Sequence, residues 1–267
     1  MPANTPFIDA HTHVYTDEAY AAYQRKAQRR ARKIMSIQYW TTAAEPRYSL
    51  RDLIAFAEGK DVAIVAAVNI LHPIGPQLEV LERHLPQIVG VKMYPGYQHF
   101  YPHDRMVHPV AAFCEKHAKP LMFHSGSMSA RGTPLLKYSH PIHLDELAGQ
   151  FPACSIVMAH CGFPYLLEAA AIMSKNKNVF ADISGTIDAV GDTAARERLA
   201  QRYRDDMQRV VDYYPDISEK LLFGTDFSGE HTHLNEVSPY VELVESIWSR
   251  EDQERIFSKT AEKLYRI

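Results

Sequence analysis

The chain has 267 residues, of which 46% are hydrophobic and 23% are charged, as is ordinary for a globular protein with a large core. Its formal net charge is -3, so we expect neither nucleic acid nor an anionic membrane as the main partner, because either would favour a basic surplus. Three cysteines, and no signal-peptide pattern before Phe7, predict a reducing, cytoplasmic location. The longest apolar stretch, residues 62–68, is too short to span a membrane, so we predict a soluble protein.

The first predicted strand ends in two closely spaced histidines. An apolar segment that begins at Phe7 leads into His11 and His13, which are two positions apart. In an extended strand both imidazole rings project to the same face. Because neutral imidazole is a common metal ligand, this spacing indicates half of a four-coordinate metal site. A chance pair on a strand is the alternative.

A strongly basic segment follows this strand. Residues 17–33 are predicted as a helix, and six of the nine residues from 25 to 33 are Lys or Arg. The basic run could serve as a binding patch, but a solvated helix face is the simpler interpretation for a chain that is acidic as a whole. The basic residues are Arg25, Lys26, Arg29, Arg30, Arg32 and Lys33.

Short apolar strands alternate with helical segments along the rest of the chain. Further strands are predicted at residues 34–39, 62–68, 89–94, 120–124, 155–160, 178–183 and 221–226. Helices are predicted at residues 17–33, 50–58, 78–85, 109–117, 143–149, 165–174, 194–214, 237–249 and 251–265. This alternation requires a parallel sheet, and the chain length is close to the roughly 250 residues of a (β/α)8 TIM barrel. Because no linker or repeat interrupts the pattern, we predict an α/β fold with a single domain over residues 1–267.

Polar side chains follow the predicted strands at their carboxyl ends. In a closed barrel these ends converge on one mouth, whereas in an open sheet the first and last strands would be far apart. The pattern therefore favours the closed barrel, with one site built from many strands. The residues concerned are His11, His13, Lys92, His124, His160, Asp182 and Asp226.

Two loops carry further candidates. Residues 125–142 form a long polar connection, and loops of that length are commonly lids or binding loops. Arg131 in this loop could clamp a substrate carboxylate, although an exposed loop arginine is the simpler interpretation. His231 and His233 repeat the paired spacing in a loop, where a shared orientation cannot be assumed, so we interpret them as rim residues.

Five short motifs in this order resemble the amidohydrolase superfamily, and specifically its amidohydrolase-related (amidohydrolase-2) branch. The motifs are IDAHTH, GVKMYP, FHSG, MAHCG and LFGTDF. The resemblance runs from Phe7 to the carboxyl-terminal helix and implies a TIM barrel of the metallo-dependent hydrolase type. By position it also implies a metal site made by the four side chains of His11, His13, His124 and Asp226.

The implied ligand set has a clear chemistry. Three neutral nitrogens and one carboxylate leave a divalent ion with net positive charge, and water in an open position then has a pKa that falls toward about 7. Asp226 would be both ligand and proton acceptor, and His160 would bind the developing oxyanion or donate a proton. The donor set favours one Zn²⁺, while Mn²⁺ fits nearly as well.

Lys92 and Asp182 have several interpretations. In binuclear relatives a lysine at the Lys92 position is carboxylated and bridges two metals, with the histidine at the His160 position joining the second ion. We favour one metal, with Lys92 as an ammonium that faces a substrate anion; an ion pair between Lys92 and Asp182 inside the barrel is a third interpretation. Asp182 could also orient a metal ligand, or simply form a turn.

The reaction that these residues predict is hydrolysis of a small amide, lactone or ester by metal-activated water. The alternative is metal-dependent, non-oxidative decarboxylation of an aromatic or unsaturated carboxylic acid. That reaction calls for a carboxylate clamp, for which Lys92 and Arg131 are the obvious candidates, so hydrolysis is preferred. A barrel that only binds is a third interpretation. The expected partner is a small-molecule substrate, and a homo-oligomer is left open.

Overall fold

The computed structural model describes residues 5–41, 44–128, 134–187, 192–229 and 235–267. In this part of the chain, nine parallel strands form one curled sheet in the order β8-β7-β6-β5-β4-β3-β2-β1-β9. The strands are β1 (Phe7–His13), β2 (Ala31–Ile37), β3 (Val62–Ala67), β4 (Ile88–Met93), β5 (Leu121–Phe123), β6 (Ile156–Met158), β7 (Val179–Asp182), β8 (Leu221–Leu222) and β9 (Phe227–Ser228). Strands that follow one another from β1 to β8 are neighbours in the sheet, as the predicted alternation requires.

Helices connect the strands. They are α1 (Asp17–Lys26), α2 (Leu50–Ala57), α3 (Ile74–Arg83), α4 (His108–His117), α5 (Leu136–Ser139), α6 (His143–Gln150), α7 (Leu166–Lys175), α8 (Thr193–Tyr213), α9 (Ser238–Ile247), α10 (Arg250–Glu254) and α11 (Thr260–Tyr265). Local signals set several starts; for example, Ser49 and Asp52 form a capping box at the beginning of α2. Among the described helices, none is both long enough and apolar enough to cross a lipid bilayer.

The first and last strands of the sheet meet through residues 221–228. Leu221 pairs with β7, and Phe227 pairs with Thr12 of β1. Between these two points the Phe223 carbonyl accepts a hydrogen bond from the Ala10 amide at 2.9 Å. This closure agrees with a (β/α)8 barrel. The predicted eighth strand appears as two short pieces because Asp226 has a φ of 60°, which an extended strand does not contain.

Two apolar layers hold the barrel together. A large core lies between the sheet and the surrounding helices, and a smaller cluster of inward-facing residues that includes Ala10, Met122 and Leu222 fills the barrel. Leu264 and Tyr265 of α11 join the inner cluster and close the barrel at one end. Tyr265 fits there because Gly90 has no side chain; a Cβ at Gly90 would lie 3.2 Å from the Tyr265 ring.

The predicted helix over residues 17–33 is too long. Helix α1 ends at Lys26, and Arg32 and Lys33 belong to β2. Gln28 and Arg29 have φ values of 51° and 57°, which terminate the helix. The basic run is therefore divided among a helix end, a turn and a strand, and it does not form one helix face.

Candidate metal centre

Six of the side chains predicted from the sequence line one pocket at the carboxyl ends of the strands. They are His11, His13, Lys92, His124, His160 and Asp226. They come from five different strand ends, so only a sheet that curls on itself brings them together. The pocket is also lined by tyrosines, by Ser228 and by Arg47.

His11, His13 and Asp226 form the tightest donor group of the pocket. The Asp226 Oδ1 atom lies 3.4 Å from Nε2 of His11 and 3.3 Å from Nε2 of His13. One ligand atom from each of the three residues lies within 4.8 Å of the others. The Asp226 Oδ1 atom is buried and has no hydrogen bond among the described residues. Two imidazole nitrogens that converge on such a carboxylate oxygen fit a divalent cation.

The hydrogen bonds of the two strand-one histidines set their tautomers. His11 Nδ1 lies 2.9 Å from Asp182 Oδ2, and His13 Nδ1 lies 2.9 Å from the Ile37 carbonyl oxygen. Carboxylate and carbonyl oxygens only accept, so each Nδ1 must carry the proton. Both Nε2 atoms are then lone-pair donors that face Asp226. Histidines that bind metals are commonly held in this way, through the nitrogen that does not bind the ion.

Asp182 is the anchor of this arrangement. Its Oδ1 atom accepts the backbone N–H of His160 at 3.0 Å, the backbone N–H of Ser184 at 3.1 Å, and the Ser184 hydroxyl. Burial alone would raise the pKa of Asp182, but His11, whose Nδ1–H it accepts, together with His160 and the Ser184 hydroxyl outweighs burial and holds this pKa well below its usual range. The carboxylate is therefore ionised and fixes the orientation of the His11 ring; its role in orienting a metal ligand stays a prediction.

His160 lies in a strained turn just after β6. Its φ is 59°, and the absence of a side chain at Gly185 makes room for its ring, since a Cβ there would lie 2.3 Å from His160 Nδ1. His160 Nδ1 lies 3.0 Å from the Ser184 hydroxyl and 3.2 Å from the Ser184 carbonyl. The carbonyl only accepts, so Nδ1 carries the proton and Nε2 is an acceptor. Burial lowers the pKa of His160 to about 4, so the ring is neutral.

His124 follows β5 and lines the pocket, but it does not join the group of three donors within 4.8 Å. Its Nε2 donates to the Ser127 carbonyl at 3.0 Å, so the lone pair is on Nδ1. Its ring centroid lies 5.1 Å from that of His160. Burial holds the pKa of His124 well below its usual range, so this ring is also neutral. Its role as a fourth ligand stays a prediction.

Lys92 of β4 is completely buried at the pocket. Its Nζ atom has no hydrogen-bond partner among the described residues and lies 5.3 Å from the centroid of the Tyr94 ring. Burial lowers its pKa to about 8, although Asp182 and Asp226 oppose the shift. The ion pair with Asp182 that the sequence left open does not form; Asp182 is hydrogen bonded to His11, His160 and Ser184 instead.

An arc of tyrosines, which the sequence reasoning did not identify, borders the pocket. We call Tyr39, Tyr94 and Tyr97 the tyrosine arc. Its ring centroids connect His13 to His124 in steps of 5.6, 5.7, 6.4 and 4.9 Å. The available signal was position, since Tyr39 and Tyr94 are the last residues of predicted strands, as His124, His160 and Asp226 are. Arg47 also lines the pocket and was not predicted from the sequence. The predicted candidates Arg131, His231 and His233 lie outside the described residues.

Asp9 is a further residue that was not predicted from the sequence as part of the site, although it belongs to the motif IDAHTH. It is fully buried and accepts hydrogen bonds from the Tyr23 hydroxyl at 2.8 Å and the Thr225 hydroxyl at 2.7 Å. It also accepts the backbone amides of His11 and Thr225, both at 3.1 Å. Asp9 therefore ties the two segments that carry His11 and Asp226. Burial raises its pKa to about 7 in spite of these bonds.

A curled parallel sheet with a donor group at its carboxyl ends defines a barrel protein with a candidate divalent-metal site. The chain belongs to the amidohydrolase family, because the family model described as Amidohydrolase (Amidohydro_2) matches residues 8–267. Protein fluG of Emericella nidulans is 32% identical over 108 residues, which are 40% of this chain and 11% of that protein. The match thus spans about a tenth of the relative's length.

Solved structures share the fold at low sequence identity. An uncharacterized TIM-barrel protein from Bordetella bronchiseptica is 15% identical with a TM-score of 0.73, over 98% of both chains. A probable 2-pyrone-4,6-dicarboxylic acid hydrolase from Acinetobacter baumannii is 12% identical with a TM-score of 0.67, over 98% of this chain and 100% of the other. A dihydroxybenzoic acid decarboxylase from Polaromonas sp. JS666, with bound manganese and an inhibitor, is 13% identical with a TM-score of 0.67, over 98% of this chain and 97% of the other.

Proposed function

We propose that this protein is a metal-dependent hydrolase of a small amide, lactone or ester. His11, His13 and Asp226 would hold one divalent ion, with His124 as the fourth ligand. The observation that carries the proposal is the Asp226 oxygen that faces two unprotonated Nε2 atoms at 3.3 and 3.4 Å. When bound, such an ion supplies Lewis acidity, which polarises a carbonyl and acidifies water. The donor set suits Zn²⁺ and accommodates Mn²⁺.

Asp226 and His160 would carry the proton transfers. Burial opposes ionisation of Asp226, and its pKa falls well below the usual range when His11 and His13 are positively charged; with both rings neutral, the divalent ion would supply that charge and keep the carboxylate ionised and able to accept protons. The neutral His160 ring has its lone pair on Nε2. We therefore refine its predicted role: His160 would accept the proton that Asp226 takes from the attacking water and then donate it to the leaving group, and in its neutral form it does not donate from Nε2.

Lys92 would bind an anionic group of the substrate. Its ammonium is the pocket cation that lacks a hydrogen bond among the described residues, and an anion beside it would offset the cost of its burial. The flat rings of the tyrosine arc would border a planar substrate. If Lys92 were instead a carboxylated bridge, the protein would bind two metal ions per chain and His160 would join the second ion.

Decarboxylation is the second candidate, and one observation favours it. Lys92 and Arg47 line the same pocket as the tyrosine arc, so an aromatic acid could lie against the rings with its carboxylate near a cation. Proteins of the amidohydrolase family include both hydrolases and decarboxylases. We place hydrolysis first because Asp226, an ionised member of the donor group, would supply the base that attack by water needs.

Isotope labelling separates the two reactions. A panel of planar lactones, esters, amides and aromatic acids is incubated with the metal-loaded protein in ¹⁸O-water. The proposal expects a product that contains ¹⁸O, and loss of turnover in Asp226→Asn with full turnover in Asp216→Asn, a matched change at an exposed aspartate. Release of carbon dioxide without ¹⁸O in the organic product would overturn it in favour of the decarboxylase.

A further inference from the structure

A large cleft lies at the end of the barrel opposite the candidate metal centre. Its lining includes Ser155, Lys177 and Lys220, which come just before β6, β7 and β8, together with residues of α11. The metal-centre residues, by contrast, lie at or just after the carboxyl ends of their strands. Because all strands are parallel, the amino ends and carboxyl ends form two separate faces, so the cleft and the metal centre are distinct sites.

The cleft concentrates positive charge on a chain whose net charge is -3. Six of its thirteen lining residues are basic and one, Glu219, is acidic. The basic residues, which define what we call the basic cleft, are Lys177, Lys220, Arg255, Lys259, Lys263 and Arg266. Its volume is about 580 Å³, within the range of small-molecule sites.

Four of these cations have no acidic partner in the described part of the chain. Arg255 forms ion pairs with Glu251 and Asp252, and Lys259 forms one with Glu254. No comparable ion pair within 4 Å is made by the remaining four, which are Lys177, Lys220, Lys263 and Arg266. The end of a helix favours cations in its last turn, which would suffice for Lys263 and Arg266 of the α11 segment. Lys220 ends a 3-10 helix at Pro215–Lys220, and Lys177 follows α7 by two residues, so helix ends favour each cation singly but do not account for four of them around one cleft.

Lys220 is held in a defined position in the cleft. Its Nζ atom donates to the Lys177 carbonyl at 2.6 Å and lies 4.7 Å from the centroid of the Phe180 ring. Burial lowers its pKa, Glu219 opposes the shift, and the charge of Lys263 adds to it. Lys263 therefore repels Lys220 less than Glu219 attracts it, and a bound anion with several charges would add to that attraction and offset the burial of Lys220.

We propose that the basic cleft binds a small molecule that carries two or more phosphate groups. Lysine ammonium groups are point charges that suit phosphate oxygens, and four cations without carboxylate partners call for a ligand with multiple charges. A concave site of this volume suits a small ligand better than a flat polymer surface would. The ligand would be an effector, since the cleft is separated from the metal centre by the packed barrel interior.

Isothermal titration calorimetry with inorganic triphosphate on the full chain tests the proposal. We expect one binding event per chain, weakened by added salt, and an affinity at least tenfold lower in the double variant Lys220→Ala, Lys263→Ala. The matched control is Lys26→Ala, Lys137→Ala, which removes the same charge at two lysines outside the cleft. Triphosphate also chelates metals, but metal capture from the centre would not depend on the cleft lysines.

Three results would overturn the proposal. They are absence of binding at low salt, equal weakening in the cleft and control variants, and full binding in the charge-reversed variant Lys177→Glu, Lys263→Glu. Thermal unfolding without ligand checks that each variant remains folded. Because the readout is binding of triphosphate, failure here would leave the proposed hydrolase intact, and failure of the ¹⁸O experiment would leave the basic cleft intact.

Discussion

Replacement of Asp182 by Asn tests how the metal centre is built. The carboxylate uses Oδ2 for His11 Nδ1 and Oδ1 for the His160 amide and for Ser184. An amide has one acceptor oxygen. If that oxygen stays with the His160 and Ser184 donors, the NH₂ group faces His11 Nδ1, and two donors oppose each other. His11 must then move its proton to Nε2, which removes the lone pair that faces Asp226.

The expected loss is in metal affinity. Residues that orient a metal-binding histidine typically contribute 10- to 100-fold to affinity, which is about 1.4 to 2.7 kcal/mol. We expect Asp182→Asn to fall in this range, and Asp182→Ala to be less stable as well, because it leaves the buried amides of His160 and Ser184 without acceptors. Asp216→Asn, at an exposed position, should leave both quantities unchanged.

A competition titration against a chelator of known affinity measures the effect in all three variants. Circular dichroism and thermal unfolding should show that Asp182→Asn retains its fold. A metal affinity for Asp182→Asn within twofold of the parent protein would refute the tautomer argument, and with it the idea that Asp182 prepares His11 for the ion.

Two further predictions concern the glycine beside His160 and two buried cysteines. Gly185→Ala should destabilise the fold by about 2 kcal/mol and displace His160, because Gly185 has a φ of 70° and its Cβ would lie 2.3 Å from the His160 ring. The control is Gly149→Ala in α6, where a Cβ would meet nothing within 4 Å. A denaturant titration of both variants should show that Gly149→Ala raises the free energy of unfolding by about 0.4 to 1 kcal/mol. A similar loss of stability in both variants would contradict the steric explanation. Burial raises the pKa of Cys154 and of Cys161 to about 12, so at pH 8 iodoacetamide should alkylate the folded protein far more slowly than the denatured chain, and equal rates would show that these thiols are not buried.

The sequence predicted the architecture well because hydrophobic alternation is a local property. Each predicted strand overlaps an observed one, and the polar residues at the strand ends do meet in one pocket. Two local features could not be predicted from the sequence. The left-handed turn at Gln28 and Arg29 shortened a predicted helix, and the φ of 60° at Asp226 divided the last strand, since neither position carries a glycine to signal it.

The finer features of the site depend on contacts between distant residues. His11 and Asp182 are 171 positions apart, and their hydrogen bond decides which imidazole nitrogen is available. The same is true of His160 and Ser184, whose contact makes Nε2 an acceptor. Spacing can identify such residues as candidates, but ring orientation and tautomer follow only from the folded environment. For the same reason the arrangement of the tyrosine arc between His13 and His124 could be recognised only once the ends of β1, β2, β4 and β5 were seen in one curled sheet.

Metal content per chain is the most direct test of the central claim, which is that His11, His13 and Asp226 hold a divalent ion. Plasma mass spectrometry is applied to protein purified without chelator and with bicarbonate present, and to Asp226→Asn prepared in parallel. We predict one equivalent of metal in the parent protein and a large loss in the variant, with the fold retained in both. Absence of metal after reconstitution, or undiminished metal in Asp226→Asn, would contradict it.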